Sequence, residues 1–370
     1  MRFAFILTLY IARVFSAAMM GMLAALTAVV GLFDFIELLR RSATKPEATF
    51  TIVAQIAALR LPWIGMQVLP FAVLLGGMLA FWRLTRSSEL IVARASGVSA
   101  WQFLTGPVLC AIALGAFATA AVSPVSAVMR ARAEGLENAY LKTGGGPLAL
   151  QGGQLWLRQS DRQIDPEGVA MLHANGVLLK DNRLTSQAVS VFRLDGHDRL
   201  LARIEAASAT LEAGAWVLEG ARVSTPGHLP DASRTLALPT NMTVDRVEQS
   251  FAAPDTFSVW ALPGFIDLLE RSGFSAIRHR LQFQALLALP LLAGTMVLLA
   301  AGFSMRPSRR GGVARMIGSG VLAGFALFMV SKIAEEFGQS GTLPAALAAW
   351  APSAAGLALS VSLLLHLEDG

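Results

Sequence analysis

The residues of this chain that could do chemistry are arranged to bind rather than to react. The segment Arg83–Ser99, RLTRSSELIVARASGVS, sets one acid, Glu89, among three arginines, Arg83, Arg86 and Arg94. Read as a helix, it gathers these four charges in one arc and Leu84, Ile91, Val92 and Ala95 in the opposite one. Gly97 is placed to end that helix and Ser99 to cap the next. An amphipathic helix of this kind either lies on a bilayer or fits a groove on a partner. Its carboxylate gains nothing against an anionic leaflet but would make a charge-assisted bond to a partner's arginine. The segment alone leaves both readings open.

Catalytic patterns are absent. The sequence has no G-x-x-x-x-G-K-S/T, H-E-x-x-H or G-x-S-x-G, and no nucleophile–base pair or carboxylate dyad stands out by spacing. His173, His197, His228, His279 and His366 lack metal-ligand spacing. A single cysteine, Cys110 in an apolar run, excludes an internal disulfide and a Cys-based zinc site, and reads as a small buried hydrophobe. Lys142-Thr-Gly-Gly-Gly-Pro147 reads as a turn, because no Lys-Ser/Thr follows its glycines. Gly320-Val-Leu-Ala-Gly324 is a small-xxx-small pattern suited to close helix packing. Asn241-Met-Thr243 matches a glycosylation acceptor, a weak signal over three residues.

What must position these groups is a membrane protein. Of 370 residues, 54% are hydrophobic and only 15% charged, which excludes disorder and an ordinary soluble enzyme. The net charge of +5 is too small to argue for nucleic acid. Windows free of Asp, Glu, Lys and Arg run over Val14–Phe33, Leu61–Trp82, Ala95–Met129, Leu281–Met305, Met316–Ser331 and Phe337–Leu367. About 20 apolar residues cross a hydrocarbon core of roughly 30 Å, so six transmembrane helices are expected, the fifth extended by Arg315 or Lys332. With the N-terminus inside, the short inner segments hold Arg2, Arg13, Arg83, Arg86, Arg94, Arg306, Arg309, Arg310 and Arg315. The short outer ones hold Arg40, Arg41, Lys45, Arg60 and Lys332. The excess favours N-in and C-in.

Residues 130–280 form one long outer segment with a different period. Runs such as Gln154–Arg158, Gly168–Ala174, Thr185–Leu194, Leu200–Ala206 and Trp216–Val223 alternate with Asp181-Asn182, Asp195-Gly196 and Ala213-Gly214. That pattern predicts an antiparallel sandwich or jelly roll. Helical connectors are expected at Arg130–Leu141 and Leu262–Ser272. The fold class is therefore a polytopic α-helical membrane protein of six transmembrane helices with an inserted antiparallel β-jelly-roll domain. Residues 1–129 carry helices one to three, with the amphipathic helix at 83–97; 130–280 carry the β-domain; 281–370 carry helices four to six.

Ser88–Ser99, S-E-L-I-V-A-R-A-S-G-V-S, resembles the coupling-helix motif of the LptF/LptG lipopolysaccharide-export permease family. Gly31–Ser42 resembles the end of the first helix in LptG-type members, and the last span, with Leu343-Pro344 and Trp350-Ala-Pro352, resembles the family's final helix. Architecture extends the likeness over the whole chain. The resemblance implies a permease subunit of an ABC transporter in a Gram-negative inner membrane, not an enzyme, that extracts lipopolysaccharide and passes it to a periplasmic bridge. It implies an LptB-type ATPase dimer that binds ATP and magnesium, with no cofactor on this chain. It also implies a second, LptF-type permease and an LptC-type jelly-roll partner.

On that reading Glu89 pairs with an arginine of the ATPase while Arg83, Arg86 and Arg94 frame the groove. Arg40, Arg41, Arg130 and Arg132 become candidate contacts for lipopolysaccharide phosphates. The plainer alternative pairs Arg40 and Arg41 with Glu37, three and four residues away, at about 0.2–0.5 kcal/mol each, and Arg130 and Arg132 with Glu134. Asp34 departs from the basic residue expected near that position in LptG-type members. Trp156, Leu172, Val191, Ile204 and Trp216 either line a lipid-accepting β interior or form a plain core. A membrane-anchored scaffold and an envelope enzyme without transport activity are the competing readings.

Overall fold

The structure is a computed structural model that describes residues 2–43, 45, 48–89, 92, 99–141, 149–151, 154–161, 168–180, 183–197, 199–212, 214–226, 231–240, 242–243, 253–271, 274–304 and 313–368. Arg94, Gly97, the Lys142–Pro147 breaker and the Asp181-Asn182 turn lie outside these residues. The chain divides into two compact units. One comprises Met1–Glu137, Pro254–Leu262 and Ile277–Gly370; the other comprises Asn138–Ala253 and Pro263–Ala276.

The first unit is helical: α1 (Arg2–Ser42), α2 (Phe50–Arg86), α3 (Ala100–Phe117), α4 (Ser123–Tyr140), α6 (Ile277–Ser304), α7 (Val313–Gln339) and α8 (Ala345–Glu368). A π-helical turn, Ala118–Val122, fuses α3 and α4 into one rod, so among the described residues six helices are long and apolar enough to cross a membrane. With no apolar drive between helices in lipid, packing depends on small residues. A Cβ on Gly76 would stand 2.5 Å from the Met19 Cα, so only glycine lets α2 meet the α1 backbone there. The Gly320/Gly324 pair seats α7 against Met78 and Leu74 of α2. Cys110 is half-buried and packs against the helical core.

Prolines inside spans leave carbonyls without donors, and the fold supplies them. Pro290 of α6 cannot donate to the Leu286 carbonyl; the buried Thr119 hydroxyl, on the π turn, donates to it at 2.8 Å. The π turn in turn exposes the Ala120 carbonyl, which accepts from the Trp260 indole at 3.0 Å, and the Val259 N–H donates to Ser123 Oγ at 3.2 Å. Thus the π turn holds both α6 and the segment 254–262.

The second unit is a seven-stranded antiparallel sheet, β1 (Ala149–Gln151), β2 (Gln154–Ser160), β3 (Val169–Lys180), β4 (Arg183–Leu194), β5 (Leu200–Glu212), β6 (Ala215–Ser224) and β7 (Arg234–Pro239), with α5 (Leu262–Arg271) following. The inserted antiparallel β-domain is as expected. Its topology is narrower than a jelly roll: among the described strands every neighbour in the sheet is a neighbour in sequence, so it is a meander without Greek-key crossovers. Register shifts at Asn175 of β3, opposite Gln187 and Val189 of β4, and between Leu218 and Ala221 of β6 form a crease, with Gly176, Ala188 and Gly220 at positive φ. Aligned irregularities of this kind bend a sheet. Gln159 of β2 donates to the carbonyl of Pro239, the last residue of β7, at 3.0 Å, a contact that only a curled sheet permits.

Inside the curl, Leu172, Val191, Ile204 and Trp216 are fully buried, and Leu269 of α5, Phe274 and Ala276 pack with them as a filled core. Trp156 does not join them. It sits between buried Leu155 and Leu157, and strand alternation turns it to the outer face, where it lies 4.2 Å from His173.

Candidate functional site

The charges flanking four of the apolar windows share one level of the bundle, because each is the first that the hydrocarbon can no longer exclude. Asp34 follows Phe33, Arg60 precedes Leu61, Arg130 follows Met129 and Lys332 follows Ser331. Three of these, with two further acids, form a chain of ion pairs. Asp34 of α1 meets Arg60 of α2 at 2.8 Å, and Arg130 of α4 donates from Nε to Asp255 at 3.0 Å. Between the two pairs stands Glu137 of α4, 3.6 Å from Arg60 and 3.8 Å from Arg130. All five side chains are between 13% and 21% exposed.

The ends of this chain are tight and its middle is slack. Glu137 Oε1, Arg60 Nε, Arg130 Nη1 and Asp34 Oδ2 are buried without a hydrogen-bond partner among the described residues. Arg130 also lies over the Trp63 ring, 4.8 Å from its centroid, a cation–π contact that fixes the guanidinium plane.

Trp63 and Asp255 are also wall residues of an open cleft between α2, α4, α6, α7 and the segment 254–262. Its polarity runs along the helices. Near their charged ends it presents Ser123, Asp255, Gln282, Lys332 and Glu335; deeper into the spans it presents Phe71, Leu289, Leu292, Met296 and Phe328. Lys332 is paired with Glu335 at 2.6 Å and lies over Phe328. An apolar slot with a polar rim suits an amphiphile. Among the described residues no group of three metal-ligating side chains occurs.

The sequence-derived candidates fall in different places. Arg40 and Arg41 both bind Glu37, at 2.8 and 2.9 Å, on the exposed end of α1. Arg130 and Arg132 part company, as residues two apart on a helix do: Arg130 turns inward to Asp255 and Glu137, whereas Arg132 is exposed. Glu134 is not the partner that holds Arg130.

The helix expected over 83–97 does not start at Arg83. Helix α2 continues through Arg86, and Ser88 takes φ +62°, which ends it. A new turn follows, with the Val92 N–H donating to the Ser88 carbonyl at 3.0 Å. Arg83 and Arg86 therefore belong to the last turn of α2, and Arg86 lies 5.4 Å over Trp82. Glu89 stands beyond the break and accepts from Ser87 Oγ at 2.8 Å. Ser99 caps α3 by accepting from the Gln102 N–H. Glu137 and Asp255 carry no signal in the sequence, and Arg60 enters there only in the charge count, although Asp34, Arg60, Arg130 and Lys332 all adjoin charge-free windows.

Comparison with known proteins gives a consistent result. A family model described as "Lipopolysaccharide export system permease LptF/LptG" matches residues 9–366. The chain is 24% identical over 370 residues to the lipopolysaccharide export system permease protein LptG of Escherichia coli strain K12, covering 98% of each chain. It is 22% identical over 340 residues to the protein of the same description in Haemophilus influenzae, covering 89% of this chain and 90% of the relative.

Proposed function

Because the chain belongs to the LptF/LptG family of lipopolysaccharide export system permeases, we propose that it is the LptG-like permease subunit of an ABC transporter. The subunit extracts lipopolysaccharide from the inner membrane and hands it to a periplasmic bridge. Its partners are an LptB-type ATPase dimer, which binds ATP and magnesium and hydrolyses the ATP, a second LptF-type permease and an LptC-type periplasmic jelly-roll protein. The chain is inserted N-in and C-in, with the β-domain in the periplasm.

The observation that carries this reading is the cleft whose walls turn from charged to apolar along the spans. Acyl chains are accommodated beside Phe71, Leu292 and Phe328, and a phosphorylated head group lies at the level of Arg130. Arg130 is the best placed of the four arginines for that contact, since it alone adjoins the cleft wall. Arg40, Arg41 and Arg132 offer cations farther out. At the opposite end of the bundle, Glu89 meets an arginine of the ATPase, and Arg83, Arg86 and Arg94 flank it. The break at Ser87–Ser88 supports the transmission role, because it sets Glu89 off from the last turn of α2.

A photo-crosslinking side chain at Phe328 tests the reading in cells. An adduct with lipopolysaccharide is expected. Continued delivery of newly made lipopolysaccharide to the cell surface after depletion of the chain would overturn it. Co-purification with the ATPase is expected to be lost on Glu89→Lys; retained binding would remove the coupling assignment.

A further inference from the structure

We propose that Asp255 is an internal stand-in for the anionic group of the amphiphile: it holds Arg130, and a lipid phosphate reaching that guanidinium displaces it and frees the segment 254–262. The inference rests on the amphiphile reading of the cleft and adds to it a residue that registers occupancy.

The geometry of Arg130 is that of a cation only partly used. Its Nε donates to Asp255 Oδ2 at 3.0 Å, but Nη1, buried, has no hydrogen-bond partner and stays 3.8 Å from Glu137. Guanidinium groups bind carboxylate or phosphate best through two parallel bonds. In the β-domain, Arg193 does so, giving both Nε and Nη2 to Asp161. Asp255 engages Arg130 through one nitrogen. A phosphate, with several acceptor oxygens, can take Nε together with Nη2, the parallel edge that Arg193 gives to Asp161, while Trp63 keeps the guanidinium plane in place.

Other charges near the cleft do not compete for this role. Lys332 is neutralised by Glu335 at 2.6 Å, and Arg60 is held by Asp34 at 2.8 Å. Glu137 is too far from either arginine for a hydrogen bond.

Displacement would be felt by the segment. Asp255 lies in the short turn Pro254–Thr256 and is the only charged residue in Pro254–Leu262. The remaining fixed points include Val259 on Ser123 and Trp260 on the π turn. This is the stretch by which the chain, having formed its seven strands, returns to the helices. Occupancy of the cleft is thereby converted into release of one end of that return path.

The test uses the full chain in detergent with three probes: diphosphoryl lipid A, its dephosphorylated counterpart and inorganic phosphate. Asp255→Asn removes the competing charge at nearly constant shape. Binding of the phosphorylated lipid should tighten about tenfold, the effect of roughly 1.4 kcal/mol, with the dephosphorylated lipid unchanged. In the wild-type protein, which needs no variant, phosphorylated lipid should raise amide exchange across 254–262. Equal or weaker binding by Asp255→Asn, or unchanged wild-type exchange at saturating lipid, would overturn the inference while leaving the amphiphile reading standing. If the wild-type protein bound neither lipid, the cleft reading itself would fall and this inference with it. Full competition by millimolar inorganic phosphate would overturn the assignment to a lipid.

Discussion

Two buried arginine sites, one in each unit, use the same chemistry to different ends. In the sheet, Arg193 grips Asp161 through two nitrogens, and the acid's own N–H donates to the Gly168 carbonyl at 2.7 Å. Every oxygen of that acid is engaged, and the strand ends it joins have nowhere to go. In the helical unit, two arginines and three acids spread over α1, α2, α4 and the return segment, with pairs of 2.8 and 3.0 Å at the ends and separations of 3.6 and 3.8 Å in the middle. Burial is similar at the two arginines, 14% and 15% exposed. The difference lies in saturation: a closed pair fixes a fold, whereas an open chain of pairs can be re-partnered without leaving a bare charge in the bilayer.

The largest effect should come from breaking the closed pair. Asp161→Ala strands Arg193, and about 3–5 kcal/mol is expected from an uncompensated buried charge. Limited proteolysis should then cut the β-domain first; an intact domain would erase the contrast. Next comes Thr119→Val, which leaves the Leu286 carbonyl with no donor at Pro290. A loss of about 1–3 kcal/mol is expected, read as a lower thermal midpoint in detergent. Glu137→Gln should cost less, about 1 kcal/mol or under as for loosely held pairs, because each arginine keeps another carboxylate. A cost as large as that of Asp161→Ala would mean that the chain is as closed as the pair.

The smallest effect is one of pH. Asp195, in the β4–β5 turn, accepts from the N–H groups of Arg199 and His197 at 2.8 and 2.9 Å, and these bonds hold its carboxyl below the usual carboxylate value, Arg199 contributing most. A depressed folded value means that the turn's stabilisation is present above the unfolded-state value, about pH 3.9, and is lost as pH falls through the folded one. Exchange in residues 195–199 should rise only under acid, and Asp195→Asn should abolish that pH dependence.

Spans were readable because a bilayer imposes one rule on every residue it touches, so charge-free windows alone locate six helices. The charged layer was half-readable: the same rule puts Asp34, Arg60, Arg130 and Lys332 at one depth, but which of them meet depends on helix rotation. Local backbone exceptions left no trace in composition. A helical wheel drawn through Arg83–Arg94 assumes unbroken helix, and Ser88 at φ +62° breaks it. Trp156 was misplaced because a strand's inward face is set by register, which only the pairing of Trp156 with His173 reveals. Asp255 was out of reach because its partner is 125 residues away in sequence.

The π turn at Ala118–Val122 carries one residue more than an α-helix would fit there. Were that surplus absorbed, everything downstream on the rod would corkscrew by about 100° and advance by about 1.5 Å. Arg130 and Glu137 would sweep together to another side of the bundle, so a single wide turn sets the phase at which this pair is presented to its neighbours.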